Sequence, residues 1–77
     1  MPRLPVVSGK ETVKALQKAG FKIVVQEGSH IKLVRNTPQG VQKVIVPNHR
    51  VLKKGTLRSG ILRPINLGVE EFIKLLK

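Results

Sequence analysis

The sequence predicts an α+β fold, in which a three-stranded antiparallel sheet lies between an N-terminal and a C-terminal helical region. Apolar residues recur at helical spacing up to residue 19 and then alternate with a period of two in three short runs between Phe21 and Val46. Helical spacing returns after Pro47. Sequential strands with short loops form a meander, and flanking helices pack on one face of it. The predicted order is α-β-β-β-α with a short additional helix at the C-terminus.

The first helix is predicted to begin at Ser8. Ser8-Gly9-Lys10-Glu11 is a capping box, because the serine hydroxyl can accept from the third helical amide while the glutamate reaches back to the cap amide. Val13, Leu16 and Ala19 then form a narrow apolar stripe, and Gly20 supplies the left-handed conformation that ends a helix. Pro2 and Pro5 favour an extended N-terminal segment over residues 1–7.

Three strands are predicted to follow. In the first, Phe21, Ile23 and Val25 are expected on one face and Lys22, Val24 and Gln26 on the other. Glu27-Gly28-Ser29 is a turn, the second strand runs over residues 30–35, residues 36–40 form a loop, and the third strand runs over residues 41–46 until Pro47 stops it. If the helices cover Ile31 and Leu33, the opposite face displays His30 and Lys32.

The C-terminal third is predicted to contain two helices. Residues 48–54 form a basic loop, and the next helix spans residues 55–63 with Leu57 and either Ile61 or Leu62 directed inward. Gly60 and Pro64 disfavour a helix interior, so this helix should end or kink at about Arg63. A last helix over residues 69–76 has acidic residues in its first turn and lysine late, which suits the helix dipole.

Length and composition predict one cytoplasmic domain, spanning residues 1–77, that binds a polyanion. A chain of 77 residues buries only about 60% of its unfolded surface, so we expect marginal stability and an oligomer or a protein partner. Fifteen Lys and Arg against four Asp and Glu give a net charge of +11, which attracts nucleic acid through counterion release. The absence of Cys and the presence of only two His argue against a metal site or other cofactor. Neither a membrane span nor a signal peptide is recognisable.

His30 is the first candidate for chemistry. It follows the turn residues Gly28 and Ser29, which can let a ligand approach, and it begins a strand, which fixes its direction. Imidazole titrates near neutrality and can exchange protons with a ribose 2′-hydroxyl or a leaving 5′-oxygen, while Lys32 on the same face could stabilise phosphate charge. The pattern is also compatible with an exposed strand residue that has no catalytic role.

His49 competes for this role, because it lies in the basic loop, although it could equally be a loop residue with local hydrogen bonds. With only two Phe and no Tyr or Trp, stacking on bases is disfavoured, and recognition of backbone and shape remains. The predicted RNA-binding residues are Lys32, His49, Arg50, Lys53, Lys54 and Arg58.

Several short segments, in order and spacing, make the chain resemble the HicA toxins, the YcfA-like mRNA interferases of HicAB toxin-antitoxin systems. The resemblance runs from about Ser8 to the C-terminus. The segments are Ser8-Gly9-Lys10-Glu11, Leu16 with Ala19-Gly20-Phe21, Gly28-Ser29-His30, Val46-Pro47-Asn48-His49 and Lys53-Lys54-Gly55-Thr56-Leu57. Gly60 and Pro64 depart from the unbroken second helix that the family leads us to expect.

The resemblance implies a fold similar to a double-stranded RNA-binding domain and a ribonuclease that cleaves mRNA, with His30 as the catalytic residue. It also implies a HicB antitoxin that covers the toxin and represses their shared operon, with possible oligomers through that complex. The leading hypothesis is therefore a metal-independent endoribonuclease. The alternatives are a noncatalytic RNA-binding module of the same fold and a structural protein whose charge meets an acidic partner.

Overall fold

The first helix forms where the capping box predicts it. The computed structural model describes residues 3–77, and Pro2 lies outside them. Helix α1 spans Gly9–Lys18; Ser8 Oγ accepts a hydrogen bond from the Glu11 amide at 3.0 Å, and Glu11 Oε1 accepts one from the Ser8 amide at 3.0 Å. Gly20 follows with a φ of 99°. Both predicted ends of this helix are confirmed.

The N-terminal segment before α1 contributes to the core although it forms no helix or strand. Leu4 and Val7 are buried, and the Val7 carbonyl accepts a hydrogen bond of 2.8 Å from the Leu52 amide. This segment therefore joins the start of the chain to the loop after the sheet.

The sheet is the predicted antiparallel meander, in the order β1-β2-β3. The strands are β1 (Lys22–Glu27), β2 (His30–Thr37) and β3 (Gly40–Pro47). Strands β2 and β3 are longer than predicted, because only Pro38 and Gln39 form the turn and pairing continues to Thr37 and Gly40. The predicted five-residue loop is thus a two-residue hairpin connection.

A β-bulge in β1 contradicts the predicted alternation of that strand. Ile23 pairs with Leu33, but the next pair is Val25 with Lys32, so Val24 is an extra residue. Directly opposed residues of an antiparallel pair lie on the same face. Ile23 therefore lies on the helix-covered face with Leu33, and Val25 lies on the opposite face with Lys32. Uniform alternation is wrong for this strand because one inserted residue reverses the faces that follow it.

The predicted second helix has unusual geometry. It is a π-helix over Thr56–Leu62 followed by a 3₁₀ turn over Arg63–Ile65. The Arg63 amide still donates to the Arg58 carbonyl in the wide pattern, whereas Pro64 has no amide for the next such bond. The helix therefore narrows at Arg63, which is where sequence predicted an end or a kink.

Helix α2 (Val69–Leu75) completes the chain, and all the helices pack on one face of the sheet. Leu16 of α1, Leu57 and Ile61 of the π-helix and Phe72 of α2 are fully buried with Leu33 of the sheet. The predicted α+β order with helices on one face is confirmed. Among residues 3–77, no helix is long and apolar enough to cross a membrane.

No helix formed by residues 3–77 covers the other face of the sheet, which we call the open face. Its members follow from the pairing register and from the burial of Ile31, Leu33, Val44 and Val46 on the helix side. They are Lys22, Val25 and Glu27 of β1, His30, Lys32, Val34 and Asn36 of β2, and Val41, Lys43, Ile45 and Pro47 of β3. His30 and Lys32 therefore lie on the face where the sequence places them.

Arg35 joins the end of α1 to the sheet. Its Nη1 donates to the Ala19 carbonyl at 2.8 Å, its Nη2 and Nε donate to Gln42 Oε1 at 2.6 and 3.1 Å, and its guanidinium carbon lies 4.6 Å from the centroid of the Phe21 ring. The half-buried guanidinium thus satisfies a carbonyl at the helix terminus and stacks on a core aromatic.

Arg35→Ala is expected to lower the free energy of unfolding by about 2–3 kcal/mol, since it removes charge-assisted hydrogen bonds and a cation–π contact together. Arg35→Lys should recover only part of this, because an ammonium cannot reach both acceptors in the same plane. Urea unfolding measures both, with Lys43→Ala as the exposed control on β3. An Arg35→Lys protein as stable as the parent would contradict this account.

Candidate functional site

The Gly28-Ser29 turn fixes where His30 begins β2. Glu27 and His30 are cross-strand partners, so Gly28 and Ser29 are the two central residues of a hairpin. Gly28 has a φ of 53°, as the first central position of a type II′ turn requires. A Cβ there would meet no atom within 4 Å, so glycine is needed for its backbone conformation, in which an L-residue costs about 1–2 kcal/mol.

His30 is exposed on the central strand with a neighbour on each side. Glu27 of β1 and Pro47 of β3 are both its direct partners, so the three residues form one row across the open face. Lys32, half-buried, occupies the next row of the same face between Val25 and Ile45. The imidazole is therefore accessible to a large ligand, and a cation lies two residues along the strand.

Three parts of the chain meet beside this row. The Asn48 amide donates to the Ser29 carbonyl at 2.6 Å, and the Gly9 amide donates to the His49 carbonyl at 2.8 Å. The start of α1, the β1–β2 turn and the segment after β3 are thus joined through their backbones.

The two histidines lie in adjacent chain segments, but only His49 lines the cavity at the N-terminus of α1. His49 lines a shallow cavity with Ser8, Lys10, Asn48 and Arg50, at the N-terminus of α1. His30 does not border that cavity and lies on the open face. The sequence left open whether the histidines meet; the structure brings their chain segments together, with His49 at the cavity beside α1 and His30 on the open face.

The other predicted RNA-binding residues lie at the π-helix. Lys53 and Lys54 are exposed immediately before it, and Arg58, near its start, lines a cleft with Arg63 and Asn66. The predicted cations therefore do not form one compact cluster.

Comparison with known proteins identifies the family. Residues 9–66 match the family model described as HicA toxin of bacterial toxin-antitoxin, which is more than half of the chain. The chain belongs to the HicA toxin family. No curated protein matches it.

The match in this HicA toxin begins at the first residue of α1 and ends at Asn66, which closes the 3₁₀ turn. It therefore contains every predicted site residue, including the turn residues Gly28 and Ser29, and leaves out only α2 and the two termini. Membership makes the protein the toxin of a toxin-antitoxin system and implies an antitoxin partner. It confirms the resemblance found in the sequence, while the roles of the individual site residues stay predictions.

Two features of this HicA toxin were missed by sequence reasoning. Lys10 and Lys14 are exposed on α1; Lys10 borders the His49 cavity, and both line a neighbouring groove with Gln26 and Asn48. Their spacing of four residues on a predicted helix could have indicated a shared basic face. The pairing of Glu27 with His30 was also missed, although residues that flank a two-residue turn always face each other.

Proposed function

We propose that this HicA toxin is a metal-independent endoribonuclease that cleaves mRNA in the cytoplasm with His30 as a catalytic residue, and that a HicB-type antitoxin neutralises it. The observation that carries the proposal is the position of His30. It is exposed at the start of the central strand, directly after a turn whose first residue is a glycine with positive φ. Its imidazole therefore projects from a paired strand and is accessible to an RNA chain.

RNA supplies its own nucleophile for this chemistry. The ribose 2′-oxygen attacks the adjacent phosphorus while the bond to the 5′-oxygen breaks, and one proton must leave the first oxygen as another reaches the second. Imidazole performs such transfers near neutral pH. Lys32, on the same face, supports the proposal because a cation beside the phosphate offsets the charge that develops on its oxygens.

Basic residues near the row formed by Glu27, His30 and Pro47 are suited to bind the RNA backbone. Lys10 and Arg50 surround the His49 cavity at the start of α1, next to the β1–β2 turn, and Lys53 and Lys54 follow along the chain. Contacts of this kind position an RNA without reading its bases, which fits a chain with two Phe that are both buried.

The proposal is tested by incubating the purified toxin with RNA in EDTA. We expect cleavage products that carry a 2′,3′-cyclic phosphate or 3′-phosphate and a 5′-hydroxyl, because the 2′-oxygen is the nucleophile. A 5′-phosphate product would exclude this mechanism. Salt-sensitive binding without any cleavage would instead identify a noncatalytic RNA-binding module.

The proposed antitoxin contact follows from charge. A net charge of +11 favours an acidic partner surface and a fast association that slows as salt rises. Addition of the antitoxin should stop RNA cleavage. Titration of the antitoxin against a fixed amount of toxin measures the stoichiometry at which cleavage stops.

A further inference from the structure

We infer that Glu27 is the second catalytic acid–base group, and that it works with His30 on one phosphodiester of the RNA. This inference rests on the proposed ribonuclease function. It names a residue that transfers a proton at the 2′-oxygen while His30 transfers one at the 5′-oxygen.

The first support is the register of the hairpin. Glu27 and His30 are direct partners across the Gly28-Ser29 turn, and the Cβ atoms of such partners lie about 4.5–5.5 Å apart on the same face. Both side chains are exposed, so both can reach a ligand on the open face. A carboxylate and an imidazole thus project side by side from the two strands of a hairpin with a two-residue turn.

The second support is the β-bulge at Val24. Strict alternation from Phe21, which is buried, would place Glu27 on the helix-covered face with Ile23. The extra residue reverses this, so that Val25 and Glu27 lie on the open face with His30. Bulges that redirect a side chain are frequent beside active sites.

The third support is the use of the four carboxylates in this basic chain. Glu11 completes the capping box of α1, and Glu70 and Glu71 lie in the first turn of α2, where they interact favourably with the helix dipole. Glu27 has no such role; it lies in a β-strand, an element in which glutamate is moderately depleted. On an RNA-binding surface its charge repels phosphate, which is unfavourable unless the carboxylate takes part in the reaction.

His49 is the competing second group, and the geometry disfavours it. Its side chain lines the cavity at the N-terminus of α1 with Lys10 and Arg50, whereas Glu27 shares both a face and a row with His30. One phosphodiester can therefore be contacted by Glu27 and His30 from a single row of the open face.

The reaction balances with these two groups. The Glu27 carboxylate takes the proton of the 2′-hydroxyl as the bond from the 2′-oxygen to phosphorus forms. The His30 imidazolium gives its proton to the 5′-oxygen as the bond from phosphorus to that oxygen breaks. The products are a 2′,3′-cyclic phosphate and a 5′-hydroxyl, and water can open the cyclic ester with the two groups in reversed roles.

The pH dependence follows from these roles. The rate should rise with pH as the base loses its proton and fall as the acid loses its own, giving a bell-shaped profile. The charged groups on the open face around the pair are Lys32 in the next row and Lys22 and Lys43 in the row beyond. His49 and Arg50 lie beyond Pro47 in the chain. Lysine and arginine ordinarily titrate far above neutral pH, and of these residue types only histidine titrates near it.

Glu27→Gln is the decisive variant, because it keeps the size of the side chain and removes its basicity together with its charge. We expect kcat for RNA cleavage to fall about 10²–10⁴-fold, with loss of the acidic limb of the kcat profile and no loss of RNA affinity. Glu70→Gln is the matched control, since it changes the net charge equally and lies in α2. It should leave kcat and both limbs unchanged.

A substrate with sulfur in place of the bridging 5′-oxygen assigns the two roles. A thiolate leaves without being protonated, so this RNA does not need the acid. Cleavage of it by a His30→Ala protein should recover strongly, whereas Glu27→Gln should stay impaired. Recovery of Glu27→Gln with no recovery of His30→Ala would overturn the assignment.

The outcomes separate this inference from the proposed function. A parent protein that binds RNA and never cleaves it refutes both. The role of Glu27 alone is refuted by a different pattern of results. In that pattern the parent cleaves RNA, the His30→Ala protein does not, and the Glu27→Gln protein keeps a normal kcat and both limbs of the pH profile. Glu27 would then contribute to the stability of the hairpin, which thermal unfolding measures.

Discussion

His30→Ala should reduce the rate of RNA cleavage by about 10²–10⁴-fold and abolish growth inhibition when the toxin is expressed without its antitoxin. Imidazole is the side-chain group best suited to proton exchange near neutral pH, and His30 carries it on the open face of the central strand. Single-turnover cleavage with saturating RNA measures the chemical step separately from binding.

The fold should survive this change. His30 is exposed, and its backbone pairs with Glu27 and Pro47 remain when the side chain is truncated. Circular dichroism and antitoxin binding are therefore expected to be unchanged. His49→Ala provides the comparison, since it should weaken RNA binding while cleavage at saturation persists. Normal cleavage by His30→Ala, or its loss in His49→Ala alone, would move the chemistry to the α1 cavity.

Local signals in the sequence were enough to predict the element order. The capping box at Ser8 and the positive-φ Gly20 define both ends of α1, and each depends only on residues close in sequence. The burial of Ile31 and Leu33 follows from alternation in the central strand, which has a neighbour on each side. The open-face position of His30 was predictable for the same reason.

What the sequence did not predict depends on pairing between segments. The bulge at Val24 has no marker such as glycine, and it exists only relative to the register of β2. The π-helical geometry before Pro64 likewise results from how Leu57, Ile61 and Leu62 all reach the core. The pairing of Glu27 with His30 follows once Gly28-Ser29 is known to be a two-residue turn, whereas the position of His49 at the cavity beside α1 required the structure.

The approach of α1 to the end of β3 predicts a large effect on stability for a substitution that adds a single methyl group. A Cβ on Gly9 would lie 2.1 Å from the Pro47 carbonyl oxygen and 2.9 Å from Asn48 Cα. Both are backbone atoms, so no side-chain rotation relieves the overlap. Gly9→Ala must push α1 away and stretch the bond from the Gly9 amide to the His49 carbonyl, at a cost of about 3 kcal/mol in the free energy of unfolding. For a chain of 77 residues this is a large share of the whole.

The same displacement should reach the candidate site, since Asn48 holds the Ser29 carbonyl directly before His30. Both the stability of Gly9→Ala and the cleavage rate of its folded fraction are therefore expected to fall. The folded fraction of Arg35→Ala should keep its cleavage rate, because the contacts of Arg35 lie at the other end of α1. Gly55→Ala is the matched control, because a Cβ there meets no atom within 4 Å and its φ is helical. Urea unfolding and single-turnover cleavage of the three proteins decide the matter. A Gly9→Ala protein as stable as Gly55→Ala would mean that α1 is not held against the end of β3.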